Sequence, residues 1–221
     1  MAVQVFFCSI EPLRDTKRYE HYCALVPKPQ QERLSGLKNE EDRLRSLAAG
    51  LMLHCAMNAL AVPLPLRRVE RLAGGRPILP EIPFQISLSH SGHVALCAIA
   101  EEAVGADVQL PKTPKQTLLE RVCSRAELDW LASQEENLAQ AFAILWTRKE
   151  SLLKALGRTI AEDLRQLSCL GDADSPWRFS ERTLFGLPAC ACCGKTDAVT
   201  WNEIDLAAEE IQNSFDSRSQ F

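Results

Sequence analysis

Hydrophobic residues recur at helical spacing in two long segments of the chain. The first follows Asn39 and an acidic turn, and its apolar side chains return every three or four positions from Leu44 to Cys55. The second runs from about Asn137 to Gly157, and a glycine is typical of the left-handed residue that ends a helix. We therefore predict two long helices, the first of them capped by Asn39.

Shorter apolar or alternating runs predict β-strands around these helices. The segments are residues 3–9, 84–89, 94–100, 104–109, 177–184, 189–193 and 198–201. In the fourth segment the alternation places Asp107 and Gln109 on the same side of the strand. We expect the last three segments to form an antiparallel sheet.

Strands and a long helix thus occur once before about residue 103 and again after it. This order predicts an α+β fold in which two similar α/β halves, residues 1–103 and 104–221, pack face to face. Between the two long helices we expect a shorter helix over residues 116–122, followed by a helix that a Ser124 and Glu127 capping box begins.

Charge and hydropathy exclude some classes of partner. Among the 221 residues, 25 are Lys or Arg and 29 are Asp or Glu, so the net charge of −4 gives no general attraction to nucleic acid or to an anionic membrane. The chain has no run of 18 apolar residues and no apparent export signal. We expect a soluble, cytoplasmic protein.

The nine cysteines lie mostly within apolar runs, which is typical of small buried side chains in a reducing compartment. The cluster at residues 190–193 also raises a zinc site as a hypothesis. Its spacing lacks the usual two-residue gap and no second pair of ligands follows, so a buried strand is the favoured interpretation.

The second long helix carries an unusual acid and base. Phe142, Trp146, Glu150 and Lys154 are spaced four apart and form one stripe, with Lys149 about 100° to the side. An exposed Glu and Lys pair would explain this pattern without any chemistry. Together with Asp107 on a strand, however, Glu150 offers the pair of hard oxygen ligands that Mg²⁺ needs at minimum.

Groups that bind anions recur elsewhere in the chain. They are Arg45 with Ser46, Arg76 after two glycines, the turn with Ser89 and His90, and Lys149 and Lys154. Taken singly, such arginines are more often solvated surface charges, and a histidine in a turn is more often exposed. Taken together, they predict a phosphate-rich substrate.

The order and spacing of these motifs resemble the 4′-phosphopantetheinyl transferases of the surfactin-synthetase-activating type. The matching runs are Gly75-Arg76-Pro77, residues 84–92 (FQISLSHSG), residues 104–107 (VGAD) and residues 146–154 (WTRKESLLK). The resemblance implies the fold of that family, a pseudo-dimer of two halves. It also implies transfer of the phosphopantetheine arm of coenzyme A to a serine of an apo carrier protein, with release of adenosine 3′,5′-bisphosphate.

The resemblance also assigns roles to individual residues. Asp107 and Glu150 would hold Mg²⁺ on the coenzyme's pyrophosphate, and Glu150 would take the proton of the incoming serine. Lys154 would assist the departing phosphate, with Lys149 adding positive potential nearby. The positions that would contact the nucleotide and its phosphates are Arg45, Ser46, Arg76, Ser89 and His90, with Arg33 as a weaker candidate.

Gln109 departs from the family pattern. Family members commonly carry a glutamate two residues after the first aspartate, where it becomes a third metal ligand. An amide oxygen can also coordinate Mg²⁺, directly or through water, but it brings no negative charge. We therefore expect Gln109 to be a neutral ligand and the metal to bind more weakly.

The implied partner is an acyl or peptidyl carrier protein, and we expect the transferase to be a monomer. The bases that would form a docking surface for an acidic carrier helix are Lys112, Lys115, Arg121 and Arg125. A solvated amphipathic helix explains the same bases equally well. Two other functions stay open: a coenzyme A or carrier-binding module without catalysis, and a Mg²⁺-dependent phosphohydrolase.

Overall fold

Two large β-sheets packed face to face, with helices on their outer sides and a separate two-stranded hairpin, make up the described part of the chain. The computed structural model describes residues 2–62, 69–72, 76–134, 137–158, 164–167, 169–170, 175–194, 198–208 and 211. Pro63 and Pro65, which were expected to follow the first long helix, lie outside these residues, as do Gly74 and Gly75.

The first half of the chain begins with a strand and three helices. These are β1 (Val3–Ser9), a 3-10 turn (Glu11–Arg14), α1 (Thr16–Leu25), α2 (Lys28–Ser35) and α3 (Glu40–Ala59). Asn39 caps α3 as predicted, because its side chain accepts a hydrogen bond from the amide of Asp42. A small hairpin and two longer strands follow: β2 (Glu70–Arg71), β3 (Pro77–Ile78), β4 (Gln85–Ser91) and β5 (Val94–Ala100).

The second half contains the other long helix. Its elements are β6 (Val104–Val108), α4 (Gln116–Val122), α5 (Arg125–Ala132), α6 (Leu138–Leu156), a 3-10 turn (Leu164–Gln166), β7 (Arg178–Leu184), β8 (Leu187–Cys193) and β9 (Val199–Glu203). The predicted capping box is present, since Ser124 and Glu127 bond to each other's backbone amides. Gly157 ends α6 with a φ of 68°, as predicted.

The first sheet has the strand order β4-β5-β1-β9 and the second has the order β6-β8-β7. The last strand corrects the prediction of an antiparallel sheet at its end, because β9 pairs in parallel with β1. This pairing brings Trp201 against Phe7, with ring centroids 6.4 Å apart. That tryptophan is partly buried against the core between the sheets, and β9 thus joins the first sheet across the expected boundary at residue 103.

Alternation along the strands divides the core into three layers. Side chains such as Val5, Leu96, Ala106 and Ala191 fill the space between the sheets. Residues on the opposite face of the first sheet pack against α3, and those on the opposite face of the second sheet pack against α6. The described chain is therefore mixed α+β, as expected, while the similarity of the two halves stays a prediction.

Several local features differ from the sequence-based expectations. β4 continues through His90 and Ser91, and the turn that follows is at Gly92, whose φ is 53°. The cysteines at 190–193 belong to β8, which is buried along its whole length. The favoured interpretation as a buried strand is therefore confirmed. Among the described residues, no cluster of three metal-ligating side chains occurs. Within those same residues, no helix is long and apolar enough to cross a bilayer.

Gly105 allows α6 to lie directly on β6. A Cβ atom at this position would overlap the carbonyl oxygen of Ser151 and lie 2.6 Å from the amide nitrogen of Ala155. Both of these atoms belong to the helix backbone, which cannot move aside as the end of a side chain can. The absence of a side chain at Gly105 thus sets the distance between helix and strand.

We predict that Gly105→Ala lowers the free energy of unfolding by about 2–3 kcal/mol, because the added methyl group forces the helix away from the strand. Urea denaturation of the purified variant measures this loss. Gly36→Ala is the matched control, since Gly36 has a φ of −76° and the nearest atom to an added Cβ there is 3.5 Å away. Equal stability of the two variants would contradict the assigned role of Gly105.

Candidate active site

A cleft of about 1200 Å³ lies where the two halves of the chain meet. Its walls come from α2, α3, the β2–β3 hairpin, β4 and the C-terminal end of α6. The polar and charged residues that line it are Gln30, Arg33, Ser46, Arg71, Arg76, Ser87, Ser89, His90, Glu150, Lys154 and Arg158. One acid thus faces five bases, so the cleft suits a ligand with several negative charges.

The floor of the cleft contains the predicted acid and base of α6. The Lys154 ammonium donates to Asp107 Oδ1 at 2.7 Å and to the carbonyl oxygen of Ala106 at 3.0 Å. Asp107 is 5 % exposed, and Ser89 Oγ donates to the same Oδ1 at 2.6 Å. The close packing of α6 on β6 therefore brings Glu150, Lys154 and Asp107 together, as the sequence predicted.

Two carboxylate oxygens at this site are buried and have no hydrogen-bond partner in the described structure. They are Asp107 Oδ2 and Glu150 Oε1. A buried carboxylate oxygen without a donor costs free energy, and such atoms are rare unless a ligand or ion completes the site. Hard oxygen ligands of this kind fit Mg²⁺, which takes one or two carboxylates from a protein and fills its other positions with water and phosphate.

The environment of Glu150 raises the pKa of its carboxyl group to about 7. Burial is the main cause, the charge of Asp107 adds to it, and Lys154 opposes it. A carboxyl group with a pKa near neutrality can gain or lose a proton at little cost. Glu150 is therefore suited both to metal binding and to proton transfer.

Gln109 lies directly after β6, and its side-chain amide donates to the carbonyl oxygen of Leu110 at 3.4 Å. Its own backbone amide bonds to Pro188 on the neighbouring strand β8. The lining of the cleft does not include Gln109. Its predicted role as a neutral third ligand stays a prediction.

The structure adds two arginines to the set that the sequence predicted. Arg71 of the β2–β3 hairpin and Arg158 after α6 both line the cleft. Burial lowers the pKa of Arg71, and the positive charge of Arg33 lowers it further, so these two side chains lie close together. Arg33, the weaker candidate in the sequence, is thus part of the cationic wall.

Of four other predicted phosphate ligands, three line the cleft and one does not. Ser46 and His90 line the cleft, and burial together with the charge of Arg45 lowers the pKa of His90. Arg76 also lines it and lies over Gly157 at the end of α6. Arg45 is outside the lining, where it pairs with Asp42 at 2.7 Å and donates to the carbonyl oxygen of Gly92 at 3.2 Å.

Comparison with known proteins agrees with the ligand chemistry that the geometry of the cleft indicates. Residues 103–207 match the model of the 4′-phosphopantetheinyl transferase superfamily. The chain is 25 % identical over 226 residues to the 4′-phosphopantetheinyl transferase gsp of Aneurinibacillus migulanus, covering 96 % of this chain and 95 % of that protein. It is 24 % identical over 152 residues to Sfp of Bacillus subtilis (67 % and 68 %). Residues 103–207 therefore form a domain of the 4′-phosphopantetheinyl transferase superfamily, and the similarity to gsp extends over nearly the whole chain.

A third relative covers less of the chain at higher identity. A putative 4′-phosphopantetheinyl transferase of Haemophilus influenzae is 35 % identical over 98 residues, which is 42 % of this chain and 41 % of that protein. The family model includes Asp107, Glu150 and Lys154, whereas the arginines at 33, 71 and 76 precede it. The matched region thus holds the carboxylate pair of this transferase, and much of the cationic wall lies before it.

Lys149 occupies a different place in the transferase from the one expected. Its ammonium is 1 % exposed and pairs with Glu127 at 2.8 Å. It also donates at 2.8 Å to the carbonyl oxygens of Leu164 and Leu167. All three donors of Lys149 are therefore used on the outer side of α6, away from the cleft. The expected contribution of Lys149 to the potential at the departing phosphate does not agree with this position.

The sequence analysis did single out Glu127, the partner of Lys149, but gave it a different role. Glu127 was assigned to a capping box, and its second carboxylate oxygen does bond to the amide of Ser124 at 2.7 Å. The first oxygen meets Lys149 across the space between α5 and α6. Because that contact joins residues 22 positions apart on different helices, spacing along one helix could not predict it.

We predict that Lys149→Met lowers the free energy of unfolding by about 3–5 kcal/mol, because it leaves the buried Glu127 charge without its partner. Chemical denaturation measures the loss. The double variant Lys149→Met with Glu127→Gln removes both charges and keeps an acceptor for Ser124, so it should regain part of the stability. A single variant with unchanged stability but weakened coenzyme A binding would support the phosphate role instead.

Proposed function

We propose that this transferase moves the phosphopantetheine arm of coenzyme A to a serine of an apo carrier protein in a Mg²⁺-dependent reaction that releases adenosine 3′,5′-bisphosphate. The observation that carries the proposal is a pair of buried carboxylate oxygens without hydrogen-bond partners: one on Glu150, which lines the cationic cleft, and one on Asp107, which bonds to the lining residue Lys154. The names of the relatives support the type of group that is transferred.

The size and charge of the cleft agree with coenzyme A as the donor. Its volume of about 1200 Å³ is above the range of about 300–1000 Å³ that is usual for small ligands. Guanidinium groups bind phosphate oxygens through paired N–H donors, and four arginines line these walls. We assign the contact with the nucleotide end of the coenzyme to the wall made by Arg33 and Arg71.

Asp107 Oδ2 and Glu150 Oε1 would hold the metal ion, with Gln109 as a neutral third ligand. When bound, Mg²⁺ supplies positive charge that stabilises the pyrophosphate as the phosphoanhydride bond breaks. Lys154 and Ser89 occupy Asp107 Oδ1, so the orientation of the carboxylate is fixed before any ligand arrives. Asp107 thus binds and orients but has no role in proton transfer.

Glu150 would accept the proton of the carrier's serine hydroxyl, directly or through a water molecule. A carboxyl group must be ionised to act as a general base. Burial raises the pKa of Glu150 to about 7 in the metal-free protein, and a cation beside it would lower that pKa and keep the group ionised. Removal of the proton lets the hydroxyl oxygen attack the phosphorus atom of the arm. The bond between that phosphorus and the bridging oxygen of the pyrophosphate then breaks.

Lys154 would stabilise the departing bisphosphate. Its ammonium has three N–H donors, and two of them bond to Asp107 and to the carbonyl oxygen of Ala106. The third donor is available for a phosphate oxygen in the cleft that Lys154 lines. As negative charge builds on the leaving group, this hydrogen bond becomes stronger and lowers the barrier.

Transfer can be measured directly. The protein is incubated with Mg²⁺, coenzyme A and a panel of apo carrier proteins, and intact mass spectrometry detects the addition of one phosphopantetheine arm. We expect a modified carrier and release of one bisphosphate for each arm. For Glu150→Gln we expect transfer to slow by about 10²-fold or more, because the base and one of the two charged metal ligands are lost.

Glu20→Gln is the matched control for this experiment, since it also replaces one acid by its amide, at an exposed position of α1 that does not line the cleft. It should transfer at the wild-type rate. Coenzyme A binding without transfer to any carrier would contradict the proposal and favour a binding module. Bisphosphate release without a modified carrier would favour a hydrolase.

The pKa of Glu150 makes metal binding depend on pH. In the metal-free protein the carboxyl group is mostly protonated below about pH 7, and Mg²⁺ must compete with that proton. We predict that the affinity for Mg²⁺ rises about tenfold between pH 6 and pH 8, as calorimetric titration can measure. In Glu150→Gln the binding should be weaker and should lose this pH dependence. An equal pH dependence in both proteins would show that another group is responsible.

A further inference from the structure

Gly50 lies in the interior of α3, where a glycine weakens the helix because it loses more backbone freedom on folding than other residues do. The space that a side chain would occupy at this position is filled by a residue of α2. A Cβ atom at Gly50 would overlap Nε2 of Gln30, and the next two nearest atoms, at 2.7 and 2.8 Å, belong to the same carboxamide. The missing side chain thus forms a notch in α3 that receives Gln30.

The helix that carries Gln30 depends on such contacts for its position. α2 has eight residues, and a helix this short has little stability of its own. Leu34, four residues after Gln30, is 1 % exposed and belongs to the same hydrophobic core as the buried side of α3. The Gln30 amide donates to the carbonyl oxygen of Ser46, one turn before Gly50, at 3.4 Å. Gln30 and Leu34 therefore share the face of α2 that is turned to α3.

The same contacts set the place of Arg33 in the cleft. Arg33 is three residues after Gln30 on α2, and both line the cleft, whereas Gln31 between them does not. Within the part of the chain that the structure describes, no hydrogen bond or ion pair holds the Arg33 guanidinium. Its position in the cationic wall therefore follows from the position of α2.

The neighbour of Arg33 in this wall repels it. Arg71 carries the same charge and lies close enough for each charge to disfavour the other. Arg33 is brought there by α2, and Arg71 by the β2–β3 hairpin. If α2 were released from α3, repulsion would favour a position of Arg33 further into solvent. A phosphate in the cleft would then meet one arginine in place of two.

We propose that Gln30, seated in the notch at Gly50, is a positioning residue for coenzyme A, which acts by holding Arg33 in the cationic wall. This inference rests on the proposed function, in which the wall contacts the nucleotide end of the coenzyme. The notch lies between α2 and α3, whereas Asp107 and Glu150 lie on β6 and α6. Its loss should therefore weaken coenzyme binding without changing the chemical step.

Two substitutions remove this contact from opposite sides. Gln30→Ala deletes the carboxamide, and Gly50→Ala fills the notch, so that the flexible end of Gln30 must swing out. Alanine is a better helix former than glycine, so α3 should stay folded. For each variant we expect the dissociation constant for coenzyme A to rise about three- to tenfold, because a charged hydrogen bond to phosphate is weakened. Calorimetry in excess Mg²⁺, without carrier protein, measures this constant.

Transfer kinetics give a second measurement that a general loss of folding would not reproduce. In both variants the KM for coenzyme A should rise, while kcat and the KM for the carrier protein stay within about twofold of the wild-type values. This division is expected because the notch is formed by α2 and α3 and not by the elements that carry the acid and base. A fall of kcat with an unchanged KM for coenzyme A would contradict the inference.

Arg33→Ala tests whether the effect passes through this arginine. The variant loses the guanidinium itself and should raise the dissociation constant about tenfold or more. If Gln30 acts by holding Arg33, then adding Gln30→Ala to Arg33→Ala should change the constant by less than about twofold. The double variant of Gln30→Ala with Gly50→Ala should likewise bind no more weakly than either single variant, because both remove the same contact.

Gln31→Ala is the matched control. Gln31 is the next residue of the same helix, and its side-chain amide also donates to a backbone carbonyl, that of Val26, at 2.8 Å. That bond is made before the start of α2 and not to α3, and Gln31 does not line the cleft. Its loss should leave the affinity for coenzyme A within about twofold of the wild-type value. An equal loss in Gln31→Ala would contradict a specific role of the notch.

The outcomes separate this inference from the function on which it rests. If wild-type protein neither binds coenzyme A nor modifies a carrier, the proposed function is wrong and the inference falls with it. If wild-type protein binds coenzyme A and only one or neither of Gln30→Ala and Gly50→Ala binds it more weakly, the function stands and the notch does not position Arg33. If Gln30→Ala weakens binding as much in the Arg33→Ala protein as in the wild type, Gln30 does not act through Arg33.

Discussion

The close contact between α6 and the backbone of β6 at Gly105 is the constraint on which the site depends. Asp107 lies two residues beyond Gly105 on the strand, and Glu150 and Lys154 lie on the helix that rests there. A side chain between helix and strand would separate Asp107 on β6 from Glu150 and Lys154 on α6. The chemistry of the cleft therefore follows from a position that has no functional group of its own.

Two lysines of α6 show how a helix can divide one type of charge between stability and function. Lys149 is fully buried and has three protein acceptors, so its charge is balanced within the outer helical layer. Lys154 is five residues further on, about 140° around the helix, and it keeps one donor free beside the cleft. The same residue type thus has a structural role on one side of α6 and a proposed chemical role on the other.

The sequence predicted best what depends on neighbouring residues. The Asn39 cap, the capping box and the end of α6 at Gly157 were correct, because each is fixed within a few positions along the chain. The meeting of Asp107 with the acid and base of α6 was also correct, but this expectation came from the order of family motifs. From the local pattern alone, Glu150 and Lys154 could also have been an exposed pair on the helix surface.

Long-range contacts explain what the sequence did not predict. Arg71 lines the cleft only because the β2–β3 hairpin folds over it, and Lys149 is buried only because Glu127 of α5 lies opposite. Nothing along the chain marks either contact. The alternation of Ser87, Ser89 and Ser91 was visible in the sequence, yet the segment whose backbone amides donate to the three hydroxyls becomes known only in three dimensions.

The parallel pairing of β9 with β1 has a consequence for how the protein is made. The first strand of the first sheet obtains this neighbour only after the whole second sheet has been synthesised, since β9 follows β8 in the chain. Until then one edge of β1 stays open to wrong partners, and contacts of such long range slow folding. The two sheets are consequently not independent folding units, and a fragment that ends before β9 would expose the edge that β9 covers.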